Sequence, residues 1–349
     1  MKLAIIGPSE KYASGISNYT WRLGTELSAR PILFNNMLPR SIFPGKTRVG
    51  KADTKIYHAS PTYTDWYNPL SWIRAVREIR RGDLFIVEWW SSSVAHMLLF
   101  ICLLAGRRFV IEAHEVLDPM EQKSFLLSAY ARLCRYILFH KASAIVVHNQ
   151  HDLSLIRDTY KKVSVIPHAV YDQFKKGERI QDGKFNILFF GLIREYKGID
   201  VLLKAFNNFN VPDKQLFIIG ENWDHIPIPK QENITYVNKY VSDDDIEQYF
   251  SQADVLVMPY TRGSASGVAA IGMHYGLPII SSRVEGIYEQ LFDYDGSFWI
   301  DSGDDQALTN WLYTIYCCPR GTYEVPERLT WLNVKGKWEE LMEEVCRRT

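Results

Sequence analysis

Two cations stand three residues apart at the end of an apolar run, in Phe190-Gly191-Leu192-Ile193-Arg194-Glu195-Tyr196-Lys197-Gly198. An arginine can clamp phosphate oxygens bidentately and a lysine adds a point charge, so the pair suits a diphosphate. Cations at a helix start oppose the helix dipole, which calls for a compensating anion. Surface charge beside a helix is the alternative. A second anion-receptive stretch runs from Pro259 to Pro278. Small residues, among them Gly263, Ser264 and Ala265, lead into a helix at Ser266, Gly267 and Val268. Ser266 fits an N-cap, and small side chains let a phosphate reach backbone N–H groups. One nucleotide diphosphate held between the two stretches explains both.

The front half offers weaker chemistry. A loop from Gly7-Pro8 to Gly15 opens a helix and presents N–H groups to an anion or to sugar hydroxyls. It is not GxGxxG, which counts against a nicotinamide cofactor. An ordinary strand–helix loop is the alternative. His114 follows the run Phe109–Ala113, where an imidazole can serve as acid, base or hydrogen-bond donor, with Glu112 and Glu115 nearby. His148 and His168 also end apolar runs, and His148 reads as structural.

These loops need strands to end on. Candidate strands are Lys2–Ile6, Lys55–His58, Leu84–Glu88, Phe109–Ala113, Ala144–His148 and Ser164–Pro167. A second series comprises Asn186–Phe190, Gln215–Ile219, Ile234–Val237, Asp254–Pro259, Pro278–Ser281 and Ser297–Ile300. Helical patterns fill the gaps. Continuous apolar strands alternating with helices predict an α/β chain of parallel sheets covered on both faces. The polar stretch 171–184 interrupts the alternation and reads as a linker. Two doubly wound domains follow, residues 1–170 and 185–328, with ligands expected in a cleft at their strand ends.

At 349 residues with 47% hydrophobic and 23% charged side chains, the chain is neither disordered nor fibrous. The formal charge of zero argues against a nucleic-acid binder. It hides a gradient, net +8 over residues 1–150 and net −10 over 201–349. Five cysteines without a CxxC pair point to reduced thiols in a cytoplasm rather than a disulfide framework or a zinc site. The apolar start stops at Gly7-Pro8, too short for a signal peptide. The segment Trp72–Arg81 is basic and amphipathic, which fits an anionic membrane surface or a solvated helix face.

Taken together, residues 163–310 resemble the retaining GT-B glycosyltransferases numbered family four, which use nucleotide-sugar donors. Val165-Ile-Pro-His-Ala-Val170 resembles the family's interdomain strand. Arg194 and Lys197-Gly198 resemble its diphosphate-gripping pair, and Ala253-Asp254 to Pro259 the strand before its donor loop. Residues 1–162 match more loosely, through Gly15 and His114. The resemblance implies the GT-B fold, two Rossmann-like domains facing across a cleft, with the final helix 329–349 returning to the first domain. It implies a donor site at Gly15, Gly191, Arg194, Lys197, Ser264, Ser266, Gly267 and Val268, and catalytic roles for His114, Arg194 and Lys197. It implies no metal and no cofactor beyond the nucleotide-sugar donor. The acceptor is expected to be a glycan or lipid-linked glycan, and the segment Trp72–Arg81, unless it is a solvated helix face, fits a peripheral place at the inner face of an anionic membrane. One departure stands out. Gly263 and Ile271 occupy the positions of the family's paired glutamates, as in a subgroup carrying Ser-Gly at the helix start. An epimerase or phosphorylase on the same fold, and a nucleotide-sugar-binding protein without catalysis, are the rival readings.

Overall fold

The computed structural model describes residues 1–11, 15–36, 57–116, 125–178, 182–263, 265–318 and 321–347. The chain divides into two compact units, Met1–Pro167 with Trp331–Thr349, and His168–Thr330.

The first unit contains β1 (Leu3–Pro8), α1 (Gly15–Glu26), β2 (Arg30–Asn36), β3 (Thr62–Asp65), α2 (Pro69–Arg80) and β4 (Leu84–Trp89). It continues with α3 (Ala95–Ala105), β5 (Arg108–Ala113), α4 (Phe125–Lys141), β6 (Ala144–Val147), α5 (Gln150–Ile156) and β7 (Val163–Val165). The seven strands are parallel, in the order β3-β2-β1-β4-β5-β6-β7. Strands β1 and β4 are buried along their whole length, as expected where helices cover both faces.

The second unit contains β8 (Phe185–Phe190), α6 (Ile199–Asn208), β9 (Lys214–Ile219), β10 (Ile234–Val237), α7 (Asp243–Phe250) and β11 (Val255–Met258). After these come α8 (Gly267–Tyr275), β12 (Ile279–Ser282), α9 (Glu285–Leu291), β13 (Ser297–Ile300) and α10 (Asp305–Cys317). Its six parallel strands run β10-β9-β8-β11-β12-β13. The last helix, α11 (Trp331–Arg347), belongs to the first unit. There Trp331 packs on Tyr19 and lies under the Arg22 guanidinium, and Arg108 donates to the carbonyls of Val345 and Cys346.

Local chemistry sets the helix ends. Asn68 caps α2 by accepting from the Leu70 N–H, with Pro69 at the first helical position. Ser266 caps α8 through the Ala269 N–H, and Gly276 closes that helix at φ +70°.

Two readings are corrected here. Half of the expected strand Lys55–His58, residues 55 and 56, lies outside the described residues, and its described half, Tyr57 and His58, is not in a strand. On that side of the sheet β2 pairs with β1, and β3 pairs with β2 at the edge. Pro31 obscured the first in the sequence, and the polar run Thr-Tyr-Thr-Asp of edge strand β3 obscured the second. The stretch 171–184 is not a free linker at its start. Tyr171 and Phe174 are buried in the second unit. The carbonyls of Phe174 and Lys175 accept hydrogen bonds from His274 and Tyr275 at the end of α8.

Candidate functional site

In each sheet the chain winds outward in both directions from a central pair of strands, β1 and β4 in the first unit and β8 and β11 in the second. Ligands of open α/β sheets bind at the carboxyl ends of such a pair. Both pairs end in chemistry.

In the second unit, Gly191 leaves β8 at φ +100°. A Cβ built on it would lie 3.2 Å from Val268 Cγ2 and 3.7 Å from Lys197 Nζ, so Gly191, Lys197 and the start of α8 meet at one point. Gly198 has φ +63°, and a Cβ there would fall 2.0 Å from the Pro259 carbonyl oxygen. Only glycine allows that approach, which seats the loop after β8 on the end of β11.

Lys197 is buried, and its ammonium donates to Tyr260 Oη at 3.0 Å, 4.5 Å from that ring's centroid. Among the described residues no carboxylate lies within ion-pair distance of it. Burial pulls the lysine below its ordinary pKa, and the neighbouring Arg194 charge pulls the same way against Tyr196. A buried cation without a counterion is costly, and an anionic ligand removes that cost.

Arg194 is different. Its Nε donates to Asp224 at 2.9 Å, and the same carboxylate accepts from the Glu195 N–H at 3.0 Å. The guanidinium lies 5.5 Å from the Trp223 ring centroid. Burial raises the Asp224 carboxyl, but these bonds and the Arg194 charge outweigh it and hold the group below its ordinary value. The sequence treated the two cations alike; the structure gives only Arg194 a counterion.

At the start of α8, the Ser266 N–H donates to Gln290 Oε1 at 2.8 Å and the Gln290 amide returns a bond to the Ser266 carbonyl at 3.1 Å. The Ser266 N–H is therefore committed, which corrects its assignment as a phosphate donor. Ala269 N–H goes to Ser266 Oγ and Ala270 N–H to the Ser266 carbonyl. The N–H groups of Gly267 and Val268, in the first turn of α8, have no intrahelical partner. A Cβ on Gly267 would lie 3.0 Å from the Tyr171 ring. Ser264 lies outside the described residues. Gly263 and Ile271 put no carboxylate here: Gly263 lies against Ile287, and Ile271 is buried in the core.

The first unit's strand ends carry acids and imidazoles. Glu88 on β4 and Glu112 on β5 are cross-strand neighbours, both fully buried. Glu88 Oε1 and both Glu112 carboxylate oxygens are buried without a hydrogen-bond partner, and two such carboxyls side by side resist ionising together. Burial pushes Glu88 up to about 8, against the pull of nearby Glu112 and Thr20. Burial, then the Glu88 charge, holds Glu112 well above the ordinary range. His114, seated just past β5, places Nε2 2.5 Å from Glu88 Oε2 and Nδ1 3.2 Å from His148 Nε2. His148 Nδ1–H donates to the Ile166 carbonyl at 3.0 Å. Burial lowers the His114 pKa, although Glu112 and Glu115 act to raise it. Glu112, His114 and His148 each offer one ligand atom within 4.8 Å of the others, the spacing a divalent cation needs.

Both ring nitrogens of His114 are thus engaged inside its own unit. Gly15 opens α1, whose Tyr19 ring meets both histidines edge-on, at 5.4 Å and 5.9 Å, and whose Thr20 reaches Glu88. His168 lies in the second unit with its edge to Tyr171. Sequence reasoning missed Glu88, Tyr260, Asp224 and Gln290. Glu88 left a signal, a lone acid inside the apolar run Leu84–Trp89. The other three depend on long-range contacts.

The sequence and the fold have relatives. Residues 184–316 match the family model described as Glycosyl transferases group 1. The solved structure of HepE from Anabaena in complex with UDP superposes with a TM-score of 0.71 at 14% identity, covering 99% of this chain and 100% of that one. The chain has the GT-B fold. Over 187 residues it is 29% identical to an uncharacterized 41.2 kDa protein in the cps region of Klebsiella pneumoniae, covering 50% of this chain and 52% of that protein. Over 150 residues it is 26% identical to a GDP-mannose:glycolipid 4-beta-D-mannosyltransferase of Xanthomonas campestris, covering 39% of this chain and 42% of that protein. The chain spans about half the length of the curated relatives it matches. Among the described residues no helix is long and apolar enough to cross a membrane.

Proposed function

We propose that the chain transfers a glycosyl group, with retention of configuration, from a nucleotide-diphosphate sugar to an acceptor hydroxyl. The observation that carries this reading is Lys197: a buried ammonium without a carboxylate, beside Gly191 and the Gly267 and Val268 N–H groups at the start of α8. These groups receive the donor diphosphate, with the Arg194 guanidinium at its edge. As the bond from the anomeric carbon to the diphosphate breaks, the electron pair leaves on the diphosphate and its charge meets donors already in place. The acceptor oxygen bonds to the same face of the sugar, and its proton passes to the departing phosphate oxygen. This reading assigns the leaving group to side chains and backbone, without a metal ion. His114 enters it as a fixed imidazole, because Glu88 and His148 hold its ring.

The acceptor in this reading is a glycan or lipid-linked glycan. Helix α2 spends Ala75, Val76 and Ile79 on its own core, yet leaves Leu70, Ile73, Arg74 and Arg77 exposed. Those four side chains fit an anionic membrane surface. Flotation with phosphatidylglycerol vesicles, lost on replacing Arg74 and Arg77 with Glu, supports it; equal flotation on neutral vesicles contradicts it.

The transfer reading is tested by incubating the protein with a panel of nucleotide sugars and glycan acceptors and resolving products by NMR. An acceptor-dependent product with the donor's anomeric configuration supports it. Inverted product overturns retention. Acceptor-independent isomerisation of the nucleotide sugar favours the epimerase, a reading the matched family model already weakens.

A further inference from the structure

Glu112, His114 and His148 gather where two neighbouring strands end. Glu112 pairs with Val146 in the register of β5 and β6, and each histidine lies two residues further along its own chain. Side chains two apart on a strand share a face, so the sheet itself brings the three together. His114 Nδ1 lies 3.2 Å from His148 Nε2, and Glu112 Oε1 lies 3.7 Å from that same nitrogen. None of the three side chains is more than 7% exposed. The far nitrogen of each ring is already held, His114 Nε2 at Glu88 Oε2 and His148 Nδ1 at the Ile166 carbonyl. Two imidazole nitrogens facing at 3.2 Å share either a proton or a cation. A shared proton does nothing for Glu112, whose two oxygens are buried without a hydrogen-bond partner. A cation serves all three groups, and an unpartnered buried carboxylate is otherwise costly.

We propose that Glu112 Oε1, His114 Nδ1 and His148 Nε2 bind a divalent transition-metal cation of the zinc class. Zinc bonds at tetrahedral angles put neighbouring ligand atoms about 3.3 Å apart. The nitrogen pair has that spacing. The carboxylate has about 0.4 Å to close, and no hydrogen bond holds it back. A ligating nitrogen carries no proton, so each ring's proton sits on its far nitrogen. There Glu88 and the Ile166 carbonyl accept, the outer partners that orient histidine ligands. Charge balances as well. Glu88 and Glu112 are buried cross-strand neighbours, and one divalent cation offsets both carboxylates. Two imidazoles with one carboxylate suit zinc, whereas magnesium and calcium take oxygen shells.

Among the described residues this is the one group of three such ligands. It uses no cysteine, and its histidines are 34 residues apart, so no spacing motif announces it in the sequence. It departs from the resemblance, which carries no metal. The ion would tie the end of β5 to the end of β6 and hold the His114 ring. The groups assigned to the donor diphosphate belong to the second unit and do not use it.

Metal binding stands on the first unit alone and is read without donor or acceptor. The full chain is stripped with EDTA, loaded with zinc chloride, desalted into metal-free buffer and analysed by plasma mass spectrometry. One zinc per chain is expected, unmoved by excess magnesium. Loss of an outer-shell partner costs about 10–100-fold in metal affinity, so loss of a ligand in Glu112→Gln or His148→Ala should cost at least about 100-fold against a chromophoric chelator. The five cysteines are the rival ligands. Zinc-edge X-ray absorption of the unmodified chain separates them, and decides where a variant fails to fold. A shell of nitrogen and oxygen at about 2.0–2.1 Å with imidazole scattering supports the site, and sulfur at about 2.3 Å overturns it. No retained zinc, or unchanged affinity in either folded variant, also overturns it. Absence of glycosyl transfer from every donor contradicts the proposed function and leaves the zinc count standing.

Discussion

The two central strand pairs end in opposite electrostatics. In the first unit, two buried carboxyls and two imidazoles lie together, with Glu88, His114 and His148 joined by hydrogen bonds and both carboxyls pushed up by burial. In the second, a buried ammonium has a phenol for company and, among the described residues, no carboxylate. The first arrangement still leaves Glu88 Oε1 and both Glu112 oxygens without partners; the second is one that, in the proposed function, an anion completes. Their units carry the reverse net charges, +9 for the first and −9 for the second, counted from the sequence over each unit's residues. Residues 331–349 contribute four basic and four acidic side chains, so this C-terminal segment leaves the first unit's excess unchanged rather than neutralising it. Net charge therefore says little about either site. What matters is which charged group is buried and whether a partner reaches it.

The contrast breaks most severely where backbone holds it together. Gly198→Ala forces a Cβ against the Pro259 carbonyl at a positive φ. It should cost about 3 kcal/mol and lower the melting temperature by roughly 6–12 °C. Gly303→Ala, at φ +87° with nothing within 4 Å, is the control and should cost only about 1 kcal/mol. Equal losses in a thermal melt would show that the loop after β8 is not seated on β11.

Replacing the two buried titratable groups should move stability in different ways. Lys197→Met deletes a desolvated cation, so the ligand-free protein should melt at the same or a higher temperature. For Glu88, burial lifts the native carboxyl to about 8 from an ordinary 4.5. Its stabilising contribution is complete below about pH 4.5 and is lost as pH rises toward 8. The melting temperature of the unmodified chain should fall over that window, and Glu88→Gln should flatten the fall. A pH-independent difference between the two would place the charge elsewhere.

Arg194 should matter less than Lys197. Asp224→Asn removes a partly exposed ion pair, worth under about 1 kcal/mol of stability. It also frees the guanidinium, so diphosphate affinity should stay the same or rise slightly in calorimetry. A large loss would make the pair, rather than the arginine, part of the site.

Much of this was legible in the residues. Continuous apolar runs such as Phe185–Phe190 gave parallel strands because both faces are covered. Gly191, Lys197, Gly267 and Val268 were found from loop composition, and they do meet at one point. The rest was hidden for physical reasons. Asp224 is 30 residues from Arg194 in sequence and Tyr260 is 63 from Lys197, so partners could not be assigned to either cation. The commitment of the Ser266 N–H depends on Gln290, brought in by α9. The role of His114 changed most, because both its nitrogens are occupied by groups on β4 and just past β6 that no local motif announces.

The central claim is that the uncompensated Lys197 is a diphosphate site. Isothermal titration of UDP and GDP into the unmodified chain and into Lys197→Met tests it most directly. A charge-assisted phosphate contact is worth about 2–3 kcal/mol, so affinity for whichever diphosphate binds should weaken roughly 30- to 150-fold in the variant, with its fold intact by circular dichroism. Equal affinity in the two proteins would contradict the account.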